Sequence, residues 1–393
     1  MKGSTVQPIV SESELHQLMR DWRRDFHAHP ETAFEEFRTA KIVTELLQSF
    51  GLEVQTGLAT TGVVATLKGR QPGEGMIGLR ADMDALNLQE LNCFDHCSRH
   101  EGKMHGCGHD GHTTMLLGAA KYMAENPDFA GTAVFIFQPA EEGEAGARVM
   151  IEEGLFEQFP VDAVYGMHNW PGLESGHFAV HDGPVMSAMD TFDIEITGHG
   201  CHGGMPHLGV DPVLVAGQLI TSLQSVISRQ LDPLQSGVVS ITQMHGGDAY
   251  NVVPDSVRLS GTCRNFSAAV QDQLENRMRQ QVEHICAAFG AKGTLTYNRI
   301  YPSTVNSPEH AAICARIAAQ LNAERPVQRD LAPSMGAEDF AFMLQARPGS
   351  YLFIGQGDTA GLHHPKYDFN DGIAPVGASF FARLVERAQP VNG

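Results

Sequence analysis

Between residues 62 and 170 the chain alternates short, almost continuously apolar segments with segments of helical period. "GVVATLKG" from Gly62, "GMIGLRAD" from Gly75, "GTAVFIFQP" from Gly131 and "DAVYGMHNW" from Asp162 read as strands. "HTTMLLGAAKYMAEN" from His112 and "AGARVMIEEG" from Ala145 read as helices. A strand that is apolar on both faces has to be covered on both, and intervening helices supply that cover. The pattern predicts an α/β fold with a mainly parallel, buried sheet. Two helices precede it. The first is expected to start at Ser11, with Glu14 three residues on as a capping-box partner and Leu15, Leu18, Met19, Trp22 and Phe26 on its apolar face. Thr32 and Glu35 repeat the spacing before the second, which ends at Gly51.

The alternation breaks near residue 187. "TFDIEITGHG" is a strand of period two, followed by a helix over 211–230 that aligns Val213, Ala216, Leu219, Ile220, Leu223, Val226 and Ile227. Two strands, "SGVVSITQMHGG" and "DSVRLSGTCRNF", lead into a helix that aligns Val270, Leu274, Met278, Val282, Ile285 and Phe289, and "KGTLTYNRIYP" closes the set. The order β-α-β-β-α-β is the split βαβ of ferredoxin-like domains. Residues 187–301 therefore read as an α+β domain inserted into a larger one formed by 1–186 and 302–393, which resumes with a helix near 307–322 and the strand "SYLFIGQG". The 393 residues suit two domains.

With 46 acidic against 27 basic side chains the formal charge is −19, which argues against nucleic acid and anionic membrane surfaces as partners. No stretch approaches the roughly 18 apolar residues of a membrane span. The start "MKGSTVQPIV" has no apolar signal core, and seven irregularly spaced cysteines make no disulfide framework, so a cytoplasmic protein is expected.

In a parallel sheet, ligands bind beyond the carboxyl ends of the strands. Four segments of the larger domain run there into acids or histidines: "GMIGLRADMD" into Asp82 and Asp84, "GTAVFIFQPAEEG" into Glu141 and Glu142, "DAVYGMHNW" into His168, and "SYLFIGQGDTAGLHHP" into His363 and His364. "KMHGCGHDGH" adds Cys107, His109 and His112 at a helix start, where a thiolate is favoured. Each has a plain explanation alone, as a solvated polar side chain or an acidic first helical turn. Their convergence on one sheet edge points instead to a metal site. A thiolate, imidazoles and a carboxylate suit zinc, with manganese, cobalt or nickel compatible, and five or more donors imply two ions. Cys93 and Cys97, with His96 and His100 nearby, have no matching second half downstream and read as a loop.

The segments "LRADMDAL", "KMHGCGHDGHTTMLLGAA", "FQPAEEG", "GMHNWPG", "MPHLGVDPV", "NVVPD", "MGAEDFAFML" and "LHHPKYDFND", in this order over about residues 20–385, resemble the amidohydrolase branch of the aminoacylase/carboxypeptidase metallopeptidase family. The resemblance implies a dimetal catalytic domain and a smaller lid and dimerisation domain. It implies Cys107, His109, Glu142, His168 and His363 as metal ligands and Glu141 as general base. Of the acids in "RADMD" it implies one that orients a ligating group, here taken as Asp82. His202, Asn251, Arg264 and Gly336 match positions expected to face substrate. The sequence departs from the family at His199, Cys201, Gly203, Gly204, Asn87 and Gly106, none of them an expected ligand. The implied activity is cleavage of N-acyl (N-acetyl or N-benzoyl) L-amino acids, small-molecule substrates, to a carboxylic acid and a free amino acid, by a homodimer or homotetramer. Dipeptidase, carboxypeptidase or N-acetyl-diaminopimelate deacetylase activity on the same scaffold, and a non-catalytic metal-binding protein, are the alternatives.

Overall fold

The computed structural model describes residues 9–321 and 326–388. Internal packing divides the chain into two compact units. One is Met1–Val185 with Val305–Ala332 and Asp339–Gly393; the other is Met186–Thr304 with Pro333–Glu338.

The larger unit is built on a seven-stranded sheet. Its first five strands are β1 (Glu53–Leu58), β2 (Gly62–Lys68), β3 (Gln71–Asp82), β4 (Ala130–Gln138) and β5 (Ala163–Pro171), followed by the short β6 (Phe178–Ala179). The seventh is Gly349–Gly357, and the spatial order is β1-β2-β4-β3-β5, then 349–357, then β6. The four central strands, β4, β3, β5 and 349–357, are mutually parallel. The edges are antiparallel: β1 on β2, β2 on β4, and β6 on 349–357. The Gly62 segment thus enters against the parallel set. Only Ala59–Thr61 separate it from β1, and a connection that short can only join antiparallel strands. Ala59 and Thr60 take positive φ, 49° and 71°, to make the turn.

Three helices prepare the site: α1 (Glu14–Ala28), α2 (Phe37–Ser49) and α3 (His109–Glu125). The capping residue of α1 is Ser13 rather than Ser11; its hydroxyl accepts the His16 N–H. Thr32 and Glu35 do not cap α2, whose N-cap is Glu36 without a side-chain bond. Glu36 is buried instead, accepting from the Thr61 hydroxyl and the Ala140 N–H. Helix α3 is buried on every side from His109 to Ala120, because the sheet, α1 and the C-terminal helix Ala374–Ala388 enclose it.

The smaller unit is a four-stranded antiparallel sheet ordered Gly237–His245, Ser256–Asn265, Ala188–Thr197, Lys292–Tyr301, with helices Pro212–Ser225 and Ala268–Ala288. Phe192, Ile194, Leu219, Leu259, Leu274 and Met278 form its core. Two expected core positions lie outward. Val213 is 39% exposed in the first turn of its helix, and Phe289 is 43% exposed just beyond the end of the other. The 333–338 segment packs with this unit because the Ser187 N–H donates to the carbonyls of Ser334 and Gly336. No helix among the described residues is long and apolar enough to cross a membrane.

Candidate metal centre

The parallel strands deliver their C-terminal residues to one edge of the larger unit. β3 ends in Asp82, with Asp84 two residues beyond; β4 leads to Glu141 and Glu142; β5 carries His168 and Asn169. Cys107 and His109 stand at the start of α3, and His363 follows the 349–357 strand with a φ of 61°.

Donor atoms of Cys107, His109 and His168 lie within 4.8 Å of one another, as do those of Cys107, Glu142 and His363, and those of His109, Glu141 and Glu142. Cys107 Sγ is 3.4 Å from His168 Nε2, and His363 Nε2 is 3.1 Å from Glu142 Oε1. All five expected ligands and Glu141 are therefore gathered in overlapping groups. The other nitrogen of two rings is already engaged: His109 Nδ1 donates to the Asp84 carbonyl (2.9 Å) and carboxylate (3.2 Å), and His168 Nδ1 to the Asn169 carbonyl (2.6 Å). That turns the Nε2 of each ring toward the cluster, as the atom free to ligate once it is deprotonated. His109 Nε2 is buried without a hydrogen-bond partner among the described residues. Buried donors and acceptors are seldom left in that condition.

Asp82 was the expected orienting acid, and the hydrogen bonds give that place to Asp84. Asp84 holds His109 Nδ1 and accepts the Glu142 N–H through its other oxygen at 2.9 Å. Asp82 accepts instead from His112 Nδ1 (2.6 Å) and Arg80 Nη1 (2.6 Å), and lies 3.8 Å from His109 Nε2. Sequence reasoning also passed over Arg80, which is fully buried and spans Asp82, Gln138 and Asp339. An arginine inside the apolar "GMIGLRAD" was the available signal, since a buried charge has to be paired. Asn169 was missed too; its backbone N–H donates to His112 Nε2 (3.1 Å) and its side-chain amide donates to the Tyr367 hydroxyl (2.6 Å).

The electrostatics match a cation site. Burial, then Glu142, Glu141 and Asp82, push the Cys107 thiol well above its ordinary range. Burial opposes charging of His109, yet Asp82 and Asp84 carry it up to about 10. Burial and the neighbouring His112 push His168 well down. Burial works to raise Asp82, but His109, Arg80 and His112 outweigh it and hold the carboxyl well below its usual range. A thiol, imidazoles and carboxylates, buried except for the half-buried Glu142 and the exposed His363, form a donor set that divalent cations satisfy, displacing the protons of thiol and imidazole. The residues fit a metal pair.

The remaining expected residues belong to the smaller unit. His202 and Asn251 line one groove of about 1040 Å³, together with Cys201. Arg264 is not among its lining residues; its Nη1 donates to the Thr262 hydroxyl and the Cys263 carbonyl. Gly336 lies in the 333–338 segment, its N–H on the Ser334 hydroxyl. Cys93 and Cys97 are free thiols and belong to none of the donor groups found among the described residues.

Residues 78–387 match the profile of peptidase family M20/M25/M40. An N-acetylcysteine deacetylase of Bacillus subtilis is 37% identical over 95% of this chain and 98% of its own length. A hippurate hydrolase of Campylobacter jejuni is 39% identical over 92% and 94%. A crystal structure of a Bacillus subtilis dinuclear metal binding peptidase superposes with a TM-score of 0.84, at 34% identity, over 95% of this chain and 98% of that one.

Proposed function

The chain belongs to peptidase family M20/M25/M40 and is a metal-dependent hydrolase of amide bonds, and on that premise we propose that it cleaves N-acyl L-amino acids to a carboxylic acid and a free amino acid. The observation that carries the reading is the meeting of Cys107, His109, Glu142, His168 and His363 beside a second glutamate, Glu141. Those five would hold two divalent ions, zinc first by donor type, with manganese, cobalt or nickel also suited. Bound there, such ions acidify water and polarise the amide carbonyl.

Glu141 supplies the proton traffic. It is buried, Oε2 lies 4.0 Å from His109 Nε2, and Oε1 accepts the Asp339 N–H at 3.4 Å. It takes a proton from the attacking water and returns it to the departing nitrogen. Asp84 keeps His109 in register. His202, Asn251, Arg264 and Gly336 are proposed to bind substrate, Arg264 through the α-carboxylate that a guanidinium suits. The working assembly is taken as a homodimer or homotetramer.

Turnover of hippurate, N-acetyl amino acids and dipeptides by the metal-loaded protein tests the reading. Preference for the N-acyl amino acids supports it. Preference for dipeptides, or release of C-terminal residues from longer peptides, replaces it by a peptidase; a carboxypeptidase of Saccharolobus solfataricus is as similar, at 37% identity over 93% of this chain.

A further inference from the structure

A second cavity, of about 650 Å³, opens in the larger unit with Glu142 as part of its wall. Glu142 also belongs to the donor group of Cys107 and His363, so this cavity adjoins the place where the scissile carbonyl has to sit. Half-buried Phe34 and Leu86 give it an apolar wall. Its charges are Glu35, Lys103, Glu142 and Glu144. Lys103 is already matched: its Nζ donates to Glu35 at 2.9 Å and to the Thr32 hydroxyl at 3.0 Å. Glu142 faces the metal centre. Glu144 is exposed, and among the described residues it has neither an ion pair nor a hydrogen bond. One uncompensated negative charge therefore remains on the wall.

We propose that this cavity is the acyl-side pocket and that Glu144 sets its charge preference, admitting neutral and positively charged acyl groups and rejecting those with a second carboxylate. The assignment rests on the amidohydrolase reading. The amino-acid half of an N-acyl amino acid carries an α-carboxylate, which a wall of net negative charge repels. The acyl half is the part that can enter. The volume lies within the range of small-molecule pockets and accepts a ring-sized group rather than acetyl alone.

The test uses acyl-side products as probes: benzoate, 4-(aminomethyl)benzoate and terephthalate, titrated calorimetrically into the metal-loaded wild type, Glu144→Gln and Glu144→Lys. The wild type is expected to bind the aminomethyl compound about tenfold more tightly than terephthalate, with benzoate between. Glu144→Lys inverts the outer two and leaves benzoate within about threefold; Glu144→Gln removes most of the difference. Raised salt shrinks all these gaps, since an exposed charge is screened. An order that ignores the substitution, terephthalate as the tightest wild-type ligand, or no binding of any probe overturns the proposal. Failure of the parent reading looks different: no N-acyl amino acid is hydrolysed while the Glu144-dependent order persists.

Discussion

Glu141 and Glu142 are neighbours in sequence with different surroundings, and the division of labour proposed for them is a matter of single atoms. Glu142 Oε1 sits 3.1 Å from His363, in the donor group that Cys107 completes; Glu141, outside that group, is tied to the Asp339 N–H. Glu141→Gln should keep full metal content and lose about 10²–10⁴-fold in kcat. Metal analysis together with steady-state kinetics checks this, and near-normal turnover would remove Glu141 from the role of base. Asp84→Asn should weaken metal binding about 10–100-fold while the fold persists, since it loosens the His109 ring; competition with a chromogenic chelator measures it, and Asp82→Asn serves as the comparison. The gathering of Cys107, His109, Glu142, His168 and His363 was readable because each follows an apolar segment or opens a helix. Asp82 against Asp84 was not readable. The two stand two residues apart at one strand end, and their hydrogen bonds separate them: Asp84 takes His109 and the Glu142 N–H, Asp82 takes His112 and Arg80.

At the scale of elements, the site depends on how closely α3 approaches β5. Gly108 begins that approach with a φ of 98°, and a Cβ there would lie 2.2 Å from Asn169 Oδ1 and 2.6 Å from the Tyr367 hydroxyl. Gly111 is as tight, its added Cβ 2.2 Å from the Phe369 ring. Gly108→Ala meets both a forbidden backbone conformation and a clash, so it should cost about 2 kcal/mol or more and lower metal occupancy as well. Thermal melting and metal content read out the two effects; a variant with wild-type values for both would mean that α3 can move back without harm. α3, β3, β4 and β5 were legible as apolar runs because burial on every side imposes them. The antiparallel edge was not, because hydropathy reports which faces are covered and says nothing about strand direction. Caps were misread where a second residue competed: Ser13 lies two residues from Ser11, and Glu36 turned inward to Thr61 and Ala140.

At the scale of the whole molecule, the larger unit carries a buried network of charge behind its metal centre. His27 Nδ1 donates to Asp110 at 2.7 Å and its Nε2 lies 3.2 Å from Glu90; Arg23 donates to Asp368 and Asp371, each at 2.6 Å. Burial opposes the charge on His27, but Asp110 and Glu90 raise it from 6.5 to about 9. Because the folded value is the higher one, the contribution is complete below about 6.5 and is lost as the pH rises through about 9. The shift corresponds to roughly 3 kcal/mol at most. Urea unfolding should therefore show wild-type stability falling between about pH 6 and pH 10, with that component absent in His27→Gln; equal slopes would contradict it. The two-unit architecture was legible from the change of pattern near residue 187, whereas the 333–338 segment, joined to the smaller unit by hydrogen bonds from Ser187, left no trace in hydropathy. The central claim is that Cys107, His109, Glu142, His168 and His363 together hold two catalytic cations. Anomalous diffraction from zinc-loaded crystals tests it most directly. Two peaks about 3.5–4 Å apart, with the Cys107 sulfur about 2.3 Å from at least one, are predicted; a lone peak away from Cys107, or none within this cluster, contradicts the account.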